Sequence, residues 1–234
     1  LTSSPEAAHI GTLAEKSLHA ALKAWLAQPG DRLEARVDGY VIDLVRGDLL
    51  IEIQTRGFAK LKRKLATLLE RGHRVRLVYP LPVGKWIVRQ AGDGTPLGRR
   101  KSPKRGRAVD AFRELVRIPH ILPHPNFAFH ILFTHQEEIW RDDGRGSWRR
   151  KRWSLHDHRL LEVVGQRRFD TPGNYLALLP PELPRPFSNR ELAAALRISP
   201  SLAGKMTYTL CKMGVLQHTG KRRNAYLYGV RSKK

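Results

Sequence analysis

The stretch IDLVRGDLLIEIQT, from Ile42 to Thr55, constrains the fold of this chain more than any other part of it. Two largely apolar runs flank Gly47-Asp48, a dipeptide suited to a two-residue hairpin loop with glycine leading. Such a loop sets the register, and in that register Asp43 stands opposite Glu52. Their Cβ atoms would then be only ~5 Å apart, a destabilising arrangement of like charges unless a cation or a proton lies between them. Period-two alternation sends Ile51 and Ile53 into a core and leaves Gln54 on the face of Glu52. The hairpin therefore gathers an acid, an acid and an amide at one place on a sheet.

The neighbouring segments say what kind of sheet this is. Residues 5–27 read as a helix whose apolar stripe is Ile10, Leu13, Ala14, Ser17, Ala21 and Trp25, with Glu15 at its border beside His19 and Leu22. After the hairpin, residues 58–71 read as an amphipathic helix built on Leu61, Leu65, Leu68 and Leu69. Its remaining positions, Lys60, Lys62, Arg63 and Lys64, read as a solvated face. HRVRLVYPLP, KWIVRQ and FAFHILFTHQEEIW read as three strands, VDAFRELVRI as a helix, and the Gly-, Pro- and cation-rich residues 91–107 as a flexible basic arm. Helix, strand, strand, helix, strand is the order of an α/β domain with a mixed β-sheet flanked by helices.

Residues 186–230 have a different grammar. Ser188 and Glu191 form a capping box for a helix ending near Arg197, and Ser199 caps a second helix with Pro200 at its first position. Gly214 closes that helix, and VLQHTGKRRNAYLYGV follows as a two-stranded hairpin with Lys221, Arg222 and Arg223 at its turn. This pattern resembles the winged helix-turn-helix of DNA-binding domains. By that resemblance Ser201, Lys205, Tyr208 and Thr209 face a DNA groove and the hairpin cations meet phosphates.

The charge agrees with a polyanionic partner. Forty-three Lys and Arg against 21 Asp and Glu give a net +22, more than solubility requires and well suited to nucleic acid. GSWRRKRWS interleaves Trp148 and Trp153 with Arg149, Arg150, Lys151 and Arg152; base stacking and the anchoring of a loop to the core are equally good readings of the tryptophans. No run approaches ~18 apolar residues, so no membrane partner is expected. The single cysteine, Cys211, excludes an internal disulfide and a cysteine-based zinc site. It suits a reducing compartment, and a cytoplasmic, nucleoid-associated location is expected.

Hard oxygen donors such as Asp43 and Glu52 suit Mg²⁺, or Mn²⁺ as its substitute, and the phosphodiester chemistry those ions support. Glu15, then Asp43, eight residues, and Glu52-x-Gln54 resemble the active-site series of the restriction-endonuclease-like, or PD-(D/E)XK, nucleases, the archaeal Holliday-junction resolvase branch above all. The resemblance covers roughly residues 6–90. It implies that Asp43, Glu52 and the Ile53 carbonyl bind the metal, that Glu15 completes the shell, and that the substrate is branched DNA cut by a homodimer. Gln54 stands where the family usually has lysine; Lys60 or Lys64 is the alternative source of that cation.

The domains expected are a nuclease domain over 1–140, a basic connecting segment over 141–185 and a winged-helix domain over 186–234. Two other readings stay open: a nuclease-fold DNA-binding protein without catalysis, and an RNA-processing endonuclease.

Overall fold

The computed structural model describes residues 17–146, 148 and 153–231. Glu15, Arg149, Arg150, Lys151 and Arg152 lie outside them.

The expected hairpin forms in the expected register. β1 (Arg32–Val37), β2 (Tyr40–Arg46) and β3 (Leu49–Ile53) make an antiparallel meander. Leu44 pairs with Ile51, Val45 with Leu50 and Arg46 with Leu49. A 3₁₀ turn at Phe58–Leu61 leads into α2 (Lys62–Glu70), which ends before Gly72, at φ 86°. The crossover returns the chain as β4 (Arg74–Gln90), parallel to β3. A parallel partner needs a crossover of this kind, because a tight turn reverses the chain.

β4 is one strand of 17 residues where two were expected. Continuity through the Pro82–Gly84 irregularity depends on the absence of a side chain at Gly84, whose Cβ would lie 2.5 Å from His135 Cδ2. The basic arm is also ordered differently from expectation. β5 (Pro96–Lys101) pairs antiparallel with β4, and Arg99 and Lys101 lie 5.0 and 5.2 Å from the Trp86 ring. Cation-π interactions and ladder hydrogen bonds turn a loop-like composition into a ribbon. The VDAFRELVRI helix reduces to a 3₁₀ turn, Ala108–Ala111, followed by α3 (Phe112–Leu115).

β6 (Phe127–Arg141) runs parallel to β4, and β7 (Ser154–Phe169) antiparallel to β6. The sheet order is β1-β2-β3-β4-β6-β7, with β5 branching from β4. Within the segment expected as a connector, 141–185, Ser154–Phe169 is therefore a strand of the main sheet.

Two cores lie on opposite faces of the sheet. α1 (Ser17–Leu26) buries Leu18, Leu22 and Leu26 against Leu44, Ile51, Ile53, Val78 and Leu132. This corrects the stripe expected for this helix: Ser17 is exposed and Trp25 is 47% exposed, while Lys23 is buried and paired with Glu34. The other core combines α2 and α3 with α4 (Pro172–Leu176) and the C-terminal elements.

Those elements are β8 (Phe187–Ser188), α5 (Asn189–Leu196), α6 (Pro200–Lys212), β9 (Leu216–Arg222) and β10 (Ala225–Val230). β8 and β9 flank β10 in a small antiparallel sheet. Both caps form: Ser188 accepts from Glu191 N–H while Glu191 accepts from Ser188 N–H, and Ser199 Oγ accepts from Leu202 N–H. Arg107 donates to the carbonyls of Leu196 and Arg197 at 2.7 and 3.1 Å, tying the end of α5 to the larger sheet's loop.

Candidate active site

The ladder between β2 and β3 ends at the Leu44–Ile51 pair. Beyond it the Ile53 N–H donates to Asp43 Oδ2 at 2.7 Å, so a side chain continues what the main chain began. The main chain of Ile53, expected as a metal ligand, thus lies beside the Asp43 carboxylate. His19 Nε2, on α1, lies 3.3 Å from the same Oδ2. In the sequence His19 stands at the border of the expected helical stripe, four positions after Glu15, which is the signal that marks it.

Glu52 alternates with Ile51 and Ile53 and so points to the face of α2. Only 8% of it is exposed. Lys64 Nζ donates to Glu52 Oε2 at 2.6 Å and to the Val41 carbonyl at 2.6 Å. Burial, followed by the nearby Asp43 charge, pushes the Glu52 carboxyl up to about 7, against the pull of Lys64 and His19. Asp43 thus acts on Glu52 in the direction expected from the hairpin, and Lys64 is the cation that opposes it. Lys64 departs from the solvated face expected for it, because its side chain reaches Glu52 on β3 and the Val41 carbonyl on β2. Lys60 stays exposed.

Gln54 follows the last residue of β3, where its N–H donates to the Val78 carbonyl. Its side-chain amide donates to the carbonyl of Arg56, folding over the turn. It lines a cavity of about 450 Å³, together with His19, Tyr79, Gln136, Glu138 and His158. The cavity opens past the C-terminal end of β3, where ligands commonly bind in sheets with parallel strands. Burial pushes Glu138 up, but hydrogen bonds from Lys85 and Trp140 outweigh it and hold the carboxyl below its ordinary value.

Among the described residues no group of three or more His, Cys, Asp or Glu side chains is arranged to hold a metal. The donors at hand are Asp43, Glu52 and the Ile53 main chain, a set that fits an ion taking one or two carboxylates and completing its shell with water and phosphate oxygens.

The C-terminal module carries a separate exposed surface. Ser201 and Tyr208 are exposed and Lys205 is partly so. Thr209 is fully buried, its hydroxyl donating to the Lys205 carbonyl at 2.7 Å, which removes it from the expected groove-facing set. Lys212 takes its place, exposed and 5.8 Å from the Tyr208 ring. Positions 201, 205, 208 and 212 follow the helical period, whereas 209 lies roughly 80° off that line. At the hairpin Lys221 sits 4.8 Å from the Tyr226 ring, and Arg222 pairs with Glu191 at 2.8 Å, bracing the hairpin against α5. Arg223 is exposed at the tip, at φ 52°. Trp148 is 81% exposed, and Trp153 lies 5.2 Å from the Arg89 guanidinium. No helix among the described residues is long and apolar enough to cross a membrane.

Comparison with known proteins finds a relative in Treponema pallidum (strain Nichols), described as an uncharacterized protein. It is 36% identical over 185 residues, covering 79% of this chain and 73% of the relative. No solved structure matches the chain significantly. A family model described as a domain of unknown function, DUF8091, matches residues 16–170, which span α1 and the whole seven-stranded sheet. With both the family model and the relative covering most of its length, the chain belongs to the DUF8091 family.

Proposed function

We propose that the chain is a Mg²⁺-dependent endonuclease of the restriction-endonuclease-like type, acting on branched DNA as a homodimer, with the C-terminal helices and hairpin serving as a winged helix that grips a duplex arm. The observation that carries this reading is the convergence of Asp43 and buried Glu52 at the end of the hairpin, with Lys64 within 2.6 Å. Two carboxylates brought together at a cost to stability need a functional reason, and a phosphodiester-cleaving centre supplies one.

Asp43, Glu52 and the Ile53 main chain would hold the ion, which when bound supplies charge stabilisation and a more acidic water. His19 orients the Asp43 carboxylate. Lys64 takes the role of the missing family lysine, since it brings a positive charge to Glu52 from α2 where Gln54 brings none. Gln54 and the cavity lining receive the strand end. The exposed cations of α6 and the hairpin position the duplex by binding its phosphates.

A second reading has its own support. Lys64 already neutralises Glu52, and the Gln54 amide is committed to Arg56, so the cluster is self-satisfied in the manner of a DNA-binding protein without catalysis. One experiment separates the two. Labelled junctions, flaps, duplexes, single strands and RNA are incubated with Mg²⁺, Mn²⁺, Ca²⁺ or EDTA. Cleavage of junctions with Mg²⁺ or Mn²⁺ alone supports the proposal. Tight binding without cleavage of any substrate assigns the non-catalytic role, and preferential cutting of RNA moves the substrate class.

A further inference from the structure

The sheet face that carries α1 is only partly covered by it. α1 packs on Leu44, Ile51, Ile53, Val78 and Leu132. Beyond the helix the same face continues through Arg76 on β4, His130 on β6, and Gln166 and Arg168 on β7. Arg76 is cross-strand to Ala128, and His130 to both Val78 and Arg168. Shared register puts these side chains on one face, with the small Ala128 leaving room beside Arg76.

Four arginines belong to this region, and two of them are neutralised. Arg46 pairs with Asp31 at 2.7 Å and Arg74 with Asp48 at 3.0 Å. Among the described residues Arg76 and Arg168 have no ion pair. Asp170 is near enough to act on Arg76 and His130, yet it pairs with neither. Arg76 is half-buried, and its Nε is fully buried without a hydrogen-bond partner. His130 donates from Nε2 to Gln166 Oε1 at 2.8 Å, but its Nδ1 is also buried and unpartnered.

An uncommitted guanidinium fixed on a sheet is costly, and a second like charge beside it adds to that cost. Burial, then Arg168 and Arg46, lower the Arg76 pKa. An anion between Arg76 and Arg168 would satisfy both, in the planar fork geometry that guanidinium offers to phosphate.

We propose that Arg76 and Arg168, with His130 at their base, form a binding site for one phosphate group on the β4–β6–β7 face beyond α1. The site is separate from the Asp43–Glu52 centre. Arg76 is cross-strand to Ile51 on β3, on the sheet face opposite to Glu52, while Ile53, Val78, His130 and Arg168 lie in one row that sets Arg168 three strand spacings, roughly 14 Å, from Ile53. The proposal therefore stands whether or not that centre is catalytic. The phosphate is either a backbone phosphodiester of bound nucleic acid or a free phosphate compound.

The full chain is titrated with inorganic phosphate while the arginine Nε–Hε NMR signals are followed, the Arg76 signal being assigned by its loss in Arg76→Lys. The expected result is a saturable shift at Arg76 whose midpoint rises at least tenfold in Arg168→Gln. Arg168 is exposed, so this variant keeps its fold, which circular dichroism verifies. A shift that grows linearly without saturation, or a midpoint unchanged in Arg168→Gln, overturns the site. Duplex binding across a salt series then identifies the source. A slope of log K against log salt that is shallower by about 0.9 in Arg168→Gln places a backbone phosphodiester there. An unchanged slope together with the saturable shift assigns a free phosphate compound.

Discussion

Lys64 Nζ on α2 lies 2.6 Å from Glu52 Oε2 on β3, joining the crossover helix to the strand it follows. The same ammonium holds the Val41 carbonyl on β2. One side chain thus spans both strands of the hairpin and supplies the cation that its two carboxylates require. With side chains only 14% and 11% exposed, the pair is shielded enough that removing one partner leaves a costly unpaired charge.

Replacing Lys64 by methionine should therefore lower stability at pH 8 by roughly 2–3 kcal/mol in urea melts, since Glu52 is left charged and buried. At pH 5.5 the loss should shrink, because Glu52 can then take up a proton. An equal loss at both pH values would mean that Lys64 contributes only packing.

The raised Glu52 carboxyl has a defined consequence for pH. Its folded value of about 7 exceeds the ordinary 4.5, so the folded state holds more protons than the unfolded state between those limits. The associated stability is fully present below pH 4.5 and is lost as pH rises through 7, amounting to about 3 kcal/mol at most. Melts of Glu52→Gln across pH 4.5–8 should lack this decline. A parallel pair of stability curves would show that Glu52 titrates alike in both states.

Asp43→Asn retains an oxygen able to accept the Ile53 N–H, so the strand junction should persist. Under the proposed chemistry, Asp43→Asn and Glu52→Gln each lower single-turnover cleavage by ~10²-fold or more, with DNA affinity unchanged or slightly raised. Gel-shift titration beside quenched-flow cleavage separates the two effects. Wild-type cleavage in either variant assigns the pair a structural role.

On α6, alanine at Lys205 and Lys212 should weaken duplex binding and reduce the salt slope by about 0.9 for each phosphate that is no longer neutralised. Thr209→Val should leave binding intact, since its hydroxyl bonds within the helix and faces no ligand. Filter binding of both proteins across a salt series checks the pair; a binding defect confined to Thr209→Val would reverse the assignment.

Arg107→Ala removes both donors from the α5 carbonyls of Leu196 and Arg197. Hydrogen exchange at the end of α5 should accelerate, with little change on β3 or β4. Uniform acceleration would indicate one cooperative unit in which Arg107 has no local role.

The hairpin register, the capping box at Ser188, the N-cap at Ser199 and the stop at Gly72 are all legible as sequence. Each depends on residues within a few positions of one another, where backbone sterics and side-chain reach leave few alternatives. The α1 stripe differs from expectation because Trp25 and Leu26 are adjacent. Which of them is buried depends on the sheet beneath, where Leu44, Ile51 and Ile53 receive Leu18, Leu22 and Leu26. The basic arm likewise becomes a strand through an available β4 edge and the Trp86 ring, partners that its own composition does not announce. The carboxylate conflict can be inferred from Asp43 and Glu52 alone. Its relief by Lys64 instead of Gln54 follows from the path of α2 across the sheet, because interactions between elements depend on three-dimensional packing that no local pattern encodes.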